Sequence, residues 1–264
     1  MPFKDSPRVI YNHTPLVEVI CQLKFPPILS IGNGNIAGFQ DKIRTEYPLY
    51  ETKQPTFEFV NLPNKEIAEF FGKLSFPKPV GATTHMFSTK NRKQVISLSQ
   101  EFLAISDTSY KRWEQFFAQI QKAEVSFKDE YKPAYYTRIG LRYKDIIFRE
   151  DLNLKDRKWS ELLQPHIAGE LADQRVGDSI SAIRTNTVIQ LPQVPNARVT
   201  LMHGLVKELG KPDGYLIDAD FSLENSEGID GTLDILGEFN RLAGRLFRWA
   251  ISDTLHQAME PETI

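Results

Sequence analysis

The sequence predicts an α+β fold: a mainly antiparallel sheet of seven to eight strands, with helices on one face and a long C-terminal helix. Three observations carry this. Residues 14–25 and 135–148 alternate apolar and charged side chains, the mark of half-buried strands. Residues 179–191, 197–207 and 214–223 read as strands whose connections, Pro192–Asn196 and Gly210–Gly214, are short enough for antiparallel hairpins. Residues 231–259 carry Leu233, Leu236, Ala243, Leu246, Ala250 and Leu255 on one wide helical stripe.

Each element has a local reason. The first strand, 14–25, is stopped by Pro26-Pro27 and the Gly/Asn cluster 32–35. Asn35 is a cap for a helix whose Ile36, Phe39, Ile43 and Tyr47 share a face, and Pro48 ends it. Residues 56–60 read as a short strand, and 61–82 have no regular pattern. Strands at 84–90 and 94–106 flank the polar turn Lys90-Asn91-Arg92-Lys93. Asp107, Thr108 or Ser109 can cap a helix with Tyr110, Trp113, Phe116, Phe117 and Ile120 inward. After the strand at 135–148, the charged stretch 149–158 reads as a linker, and a helix follows at 159–172.

Composition narrows the classes. The chain has 264 residues, long enough for one large domain or two small ones. A net charge of −2 favours neither nucleic acid nor an anionic membrane through the bulk field. The one cysteine, Cys21, excludes an intrachain disulfide and lies with the apolar side of its strand. The N-terminus lacks the apolar core of a signal peptide, and no apolar run approaches a membrane span, so a cytoplasmic protein is expected.

Four blocks carry a family resemblance: TPLVEVICQLKFPP (14–27), QEFLAISDTSYKRWEQF (100–116), YYTRIGLRYKDII (135–147) and GEFNRLAGRLFRWAISDTLHQAM (237–259). In this order they resemble a sporadically distributed prokaryotic family of uncharacterised proteins. The resemblance implies one α+β domain over residues 1–264, in preference to two lobes meeting at 149–158. It supplies no catalytic residues. Its patchy distribution implies genes carried on mobile elements or in defence and toxin–antitoxin clusters.

The short motifs are weak. Val176-Gly177-Asp178-Ser179-Ile180 and Asp253-x-x-His256 resemble the nucleophile and Asp-x-x-His blocks of the lipases named for Gly-Asp-Ser-Leu. There the serine block follows the first strand of a parallel sheet; here it lies mid-chain, with Asp253 and His256 on a long helix. Gly32–Gly38 resembles a dinucleotide-binding turn, but Pro26 and Pro27 intervene and no βαβ alternation follows. The five histidines lack metal-ligand spacing, and His203 shares an apolar strand face with Val199, Leu201 and Leu205. Asp218 and Asp220 share a strand side where pairing with bases is a simpler reading than a cation site.

Two polar constellations remain. Arg138, Arg142 and Lys144 share one side of a strand, with Gly140 leaving room between the arginines; Glu18 and Arg184 are candidates to join them from other strands. They would either pair with neighbouring acids or bind an anion. Arg241, Arg245 and Arg248 line the last helix behind Asp234 and Glu238, as a solvated face or a docking surface. The first expectation is therefore a non-catalytic regulatory or protein-interaction protein with an unidentified protein partner and no cofactor or metal. The alternative is an anion-, nucleotide- or RNA-phosphate-binding module, and a serine hydrolase is third.

Overall fold

The structure is a computed structural model that describes residues 2–53, 83–207, 213–224, 228 and 230–263. The strand expected at 56–60, the stretch to 82 and most of the 210–214 connection lie outside the described residues. The fold is α+β. Among the described residues its main sheet has nine strands, where seven to eight were expected, in the order β3-β4-β5-β6-β2-β7-β10-β9-β8. These strands are β2 (Leu16–Lys24), β3 (Leu49–Lys53), β4 (Thr84–Ser88), β5 (Gln94–Leu98), β6 (Phe102–Asp107), β7 (Arg138–Phe148), β8 (Arg184–Gln190), β9 (Ala197–Val206) and β10 (Gly214–Glu224). A separate antiparallel pair joins β1 (Val9–Tyr11) to β11 (Pro261–Thr263). The chain forms two compact units.

One unit comprises Glu18–Arg142 and Ser222–Gly237. Its antiparallel ladders run from β3 through β4, β5 and β6 to β2, with Cys21 opposite Ile105. Helix α3 (Trp113–Tyr131) buries Phe116, Ile120, Ala123 and Phe127, spaced by four, three and four residues. Phe127 meets the Phe25 ring at 4.6 Å. The short helices α1 (Leu29–Gly32) and α2 (Ala37–Ile43) bury Ile31, Phe39 and Ile43.

Three local expectations change in this unit. The 94–106 strand is a hairpin, because Ser99 N–H donates to the Phe102 carbonyl and folds the chain back. That turn, Ser99-Gln100-Glu101, has no Gly, Pro or Asn to announce it. Asn35 is not the cap of α2: its N–H donates to the Ser30 carbonyl, closing the turn after α1, and Ile36 takes the cap position. Asp107 does not cap α3, which starts behind Arg112; its carboxylate instead accepts from the Ser109 N–H at 2.6 Å and Oγ at 2.8 Å.

The other unit comprises Met1–Val17, Tyr143–Phe221 and Glu238–Ile264. Residues 149–158 lie inside it. The helix expected at 159–172 is split, because Pro165 opens a new turn and Gly169 takes φ 49°. The pieces are α4 (Trp159–Leu162), α5 (Pro165–Ala168) and a 3-10 turn, Gly169–Ala172. β8 starts five residues later than expected, after a 3-10 turn at Gly177–Ser179. The C-terminal helix is also two: α6 (Thr232–Ala250), which crosses from the first unit, and α7 (Asp253–Ala258). Gln164 donates its backbone N–H to the Ala250 carbonyl and its Nε2 to the Ile251 carbonyl, ending α6, and Ser252 Oγ accepts from the Leu255 N–H to start α7.

Residues of both parities are buried along β7 and β10, so both faces of these strands are covered. That coverage decides the character of the polar strand side chains.

Candidate functional site

Arg138, Gly140, Arg142 and Lys144 occupy one side of β7, and the three cations are at most 7% exposed. Arg138 Nη1 donates to Gln22 Oε1 at 3.0 Å, and its Nε lies 3.5 Å from Glu224 Oε1. The guanidinium folds over Gly140, where a Cβ would stand 2.1 Å from Nη1. That is the physical reason for glycine here. Glu18 and Asp218 are buried as well, and none of Glu18, Arg142, Lys144, Asp218 and Asp220 lacks a partner. A buried cation without a counter-charge costs several kcal/mol, and each of these side chains has a partner in the fold. Arg184 stands apart from this burial: it is exposed at the start of β8.

The arginines of α6 are likewise engaged. Arg241 pairs with Glu238, Arg245 with Asp5, and Arg248 with Asp253 at 2.8 Å. Arg245 is buried whereas its partner Asp5 is 81% exposed, so that pair presents its carboxylate to solvent.

The lipase-like residues do not assemble. Ser179 is exposed, and Asp178 beside it pairs with Lys158. His256 Nδ1 lies 2.8 Å from the Tyr11 hydroxyl, and Asp253 is held by Arg248 rather than by His256. Among the described residues no hydrogen bond joins Ser179 to His256. The glycine turn is also built for packing. A Cβ on Gly32 would strike the Gln100 side chain, and one on Gly38 the Glu130 carboxylate. Among the described residues no three His, Cys, Asp or Glu side chains gather to hold a metal ion.

His203 is a satisfied core histidine. Its Nδ1 lies 2.7 Å from the Tyr215 hydroxyl, which donates to the Ile167 carbonyl at 3.1 Å. Burial holds its pKa below the ordinary value. Burial, reinforced by Glu124, pushes the Cys21 thiol far up. Glu124 is 1% exposed; it accepts from the Tyr136 hydroxyl at 3.2 Å and pairs with Lys128 at 2.9 Å.

Two features escaped sequence reasoning. Asp145 retains some solvent access, yet crowding by protein and then the charge of Asp218 push its carboxyl up to about 8. The other is β8. It is the last strand of the sheet and pairs only with β9 among the described strands. Leu191 N–H donates to Ala197 and Leu205 N–H to Ile183, so odd-numbered residues of β8 direct their backbone groups to β9. The N–H and C=O groups of Asn186, Val188 and Gln190 therefore point outward. All three residues are exposed, Val188 by 55%. The signal available in the sequence was a run, Thr-Asn-Thr-Val-Ile-Gln, that is strand-forming yet polar on both faces.

No protein-family model, curated protein or solved structure matches the chain.

Proposed function

We propose that the chain is a non-catalytic protein-interaction module whose binding element is the outer edge of β8. One observation carries the reading: a seven-residue edge strand with outward backbone groups at Asn186, Val188 and Gln190 and, among the described residues, no device that blunts it. It has no Pro, Lys or acid, and seven consecutive partners on β9 without a bulge. Among the described strands the opposite edge is β3, and it is guarded. It is five residues long, follows Pro48, and carries Glu51, which pairs with Arg92, and Lys53. An extended segment laid along β8 would complete its backbone hydrogen bonding, with Val188 giving an apolar contact. In a mobile gene cluster of the kind the resemblance implies, the assembly formed at this edge would serve to regulate a neighbouring effector.

The test is Val188→Pro, with tagged protein recovered from its own host at low salt and weighed by native mass spectrometry. The Val188 N–H points outward, so proline there removes the donor that a partner's carbonyl would accept from and leaves the β9 ladder intact. The reading expects a bound protein chain on the parent molecule that the variant loses. An assembly equally stable in the variant would contradict it.

An anion clamp at Arg138 and Arg142 is less well supported. An anion would have to displace Gln22 and Glu224 from Arg138 on a closed side of β7. Salt-sensitive nucleotide or RNA binding, lost in Arg138→Ala with Arg142→Ala in a variant that still folds, would reinstate it.

A further inference from the structure

Resting on the reading of β8 as the binding edge, we infer that its occupant is a second copy of this chain, paired β8 to β8 antiparallel about a two-fold axis at Thr187.

The strand is complementary to itself. Only even-numbered residues direct backbone groups outward, so only registers that place even residues opposite even ones can form the ladder. Of these, the register centred on Thr187 engages all of Arg184–Gln190 in both copies. It sets Asn186 opposite Val188 of the second copy, and Arg184 opposite its Gln190. Thr187 meets its own counterpart across the axis, a pairing that sheets favour.

Charge points the same way. Arg184 is the strand's one charge. Antiparallel pairing sends the two copies of Arg184 to opposite ends, separated by six residues or about 20 Å, beyond the Debye length at physiological salt. Parallel pairing would bring them together. A closed two-fold contact also consumes the edge, so the assembly stops at two copies. An unguarded edge that paired head-to-tail would instead propagate.

A thiol experiment reads the register directly. The native cysteine, Cys21, is fully buried and its thiol is held protonated, so an introduced thiol reacts alone. At Thr187 the two copies form a pair without backbone hydrogen bonds, whose Cα atoms stand about 4.5 Å apart, within disulfide reach. At Thr185 the counterpart lies opposite Ile189, several residues away along the strand. Under mild oxidation Thr187→Cys should link into dimers and Thr185→Cys should not.

Sedimentation equilibrium completes the test. The parent chain should reach twice its 30.3 kDa mass as concentration rises, and Val188→Pro should remain at 30.3 kDa with an unchanged circular-dichroism spectrum. Paired charges guard against a merely misfolded variant. Asn186→Lys with Val188→Lys should abolish the dimer by opposing like charges, and Asn186→Glu with Val188→Lys should restore it. A parent chain that stays at 30.3 kDa up to its solubility limit overturns the second copy as occupant. If β8 still took a segment of another protein that Val188→Pro releases, the wider reading would stand. A dimer that survives Val188→Pro and fails to link through Thr187→Cys places the contact elsewhere and overturns the second copy as the occupant of β8.

Discussion

Gly140 shows how tightly single residues are specified. The Arg138 guanidinium occupies the space where a side chain would begin. Gly140→Ala must push it off Gln22 and Glu224 and leave a buried cation poorly paired, at a cost of about 1–3 kcal/mol in chemical denaturation. Asp145 makes a pH-dependent counterpart. Its folded pKa of about 8 stands above the unfolded value, so the folded chain holds a proton that the unfolded chain releases as pH climbs from about 4 to 8. The stability linked to this carboxyl is full below that window and is lost as pH rises through it. Asp145→Asn should match the parent chain near pH 4.5 and exceed it by about 1–3 kcal/mol near pH 8.5, after allowance for partial solvent access. Denaturation midpoints at the two pH values check this. Cys21 should resist a thiol reagent in the native protein and react fully on unfolding, since burial keeps it from forming thiolate.

Elements were legible in the sequence where one face is apolar and the ends are punctuated. Helix α3 and strands β2, β7, β9 and β10 follow from their periodicity alone. Their ends and interruptions do not, because these depend on distant partners. The residues before Ala250 do not announce that α6 stops there; half of the stop comes from Gln164, far away in the chain. β1 and β11 pair with each other across almost the whole sequence, and three-residue strands have no period to detect. The Ser252 cap is the local half of the α6–α7 break. Ser252→Ala should cost about 1 kcal/mol in denaturation and leave β8 unaffected. The candidate site divides the same way. That Arg138 and its neighbours share a strand side could be read from alternation, but their burial could not, because what covers a sheet face is a tertiary fact. That β8 is an edge depends on strand order, which alternation does not encode.

For the whole molecule, the charges that drew attention in the sequence are largely spent on the fold. Arg138, Arg245 and Arg248 each hold a partner within the chain. What the sheet leaves unspent among the described residues is backbone hydrogen bonding along β8. Such an edge calls for a partner strand, and the contrast with the guarded β3 edge marks it as a place of assembly. Amide exchange measured residue by residue along β8, across a concentration series, tests this most directly. Thr187 and Ile189, bonded to β9, should be protected throughout. Asn186 and Val188 should exchange quickly in dilute solution and become protected as the chain assembles. Rapid exchange at Asn186 and Val188 at every concentration, with or without host extract, would contradict β8 as the binding edge.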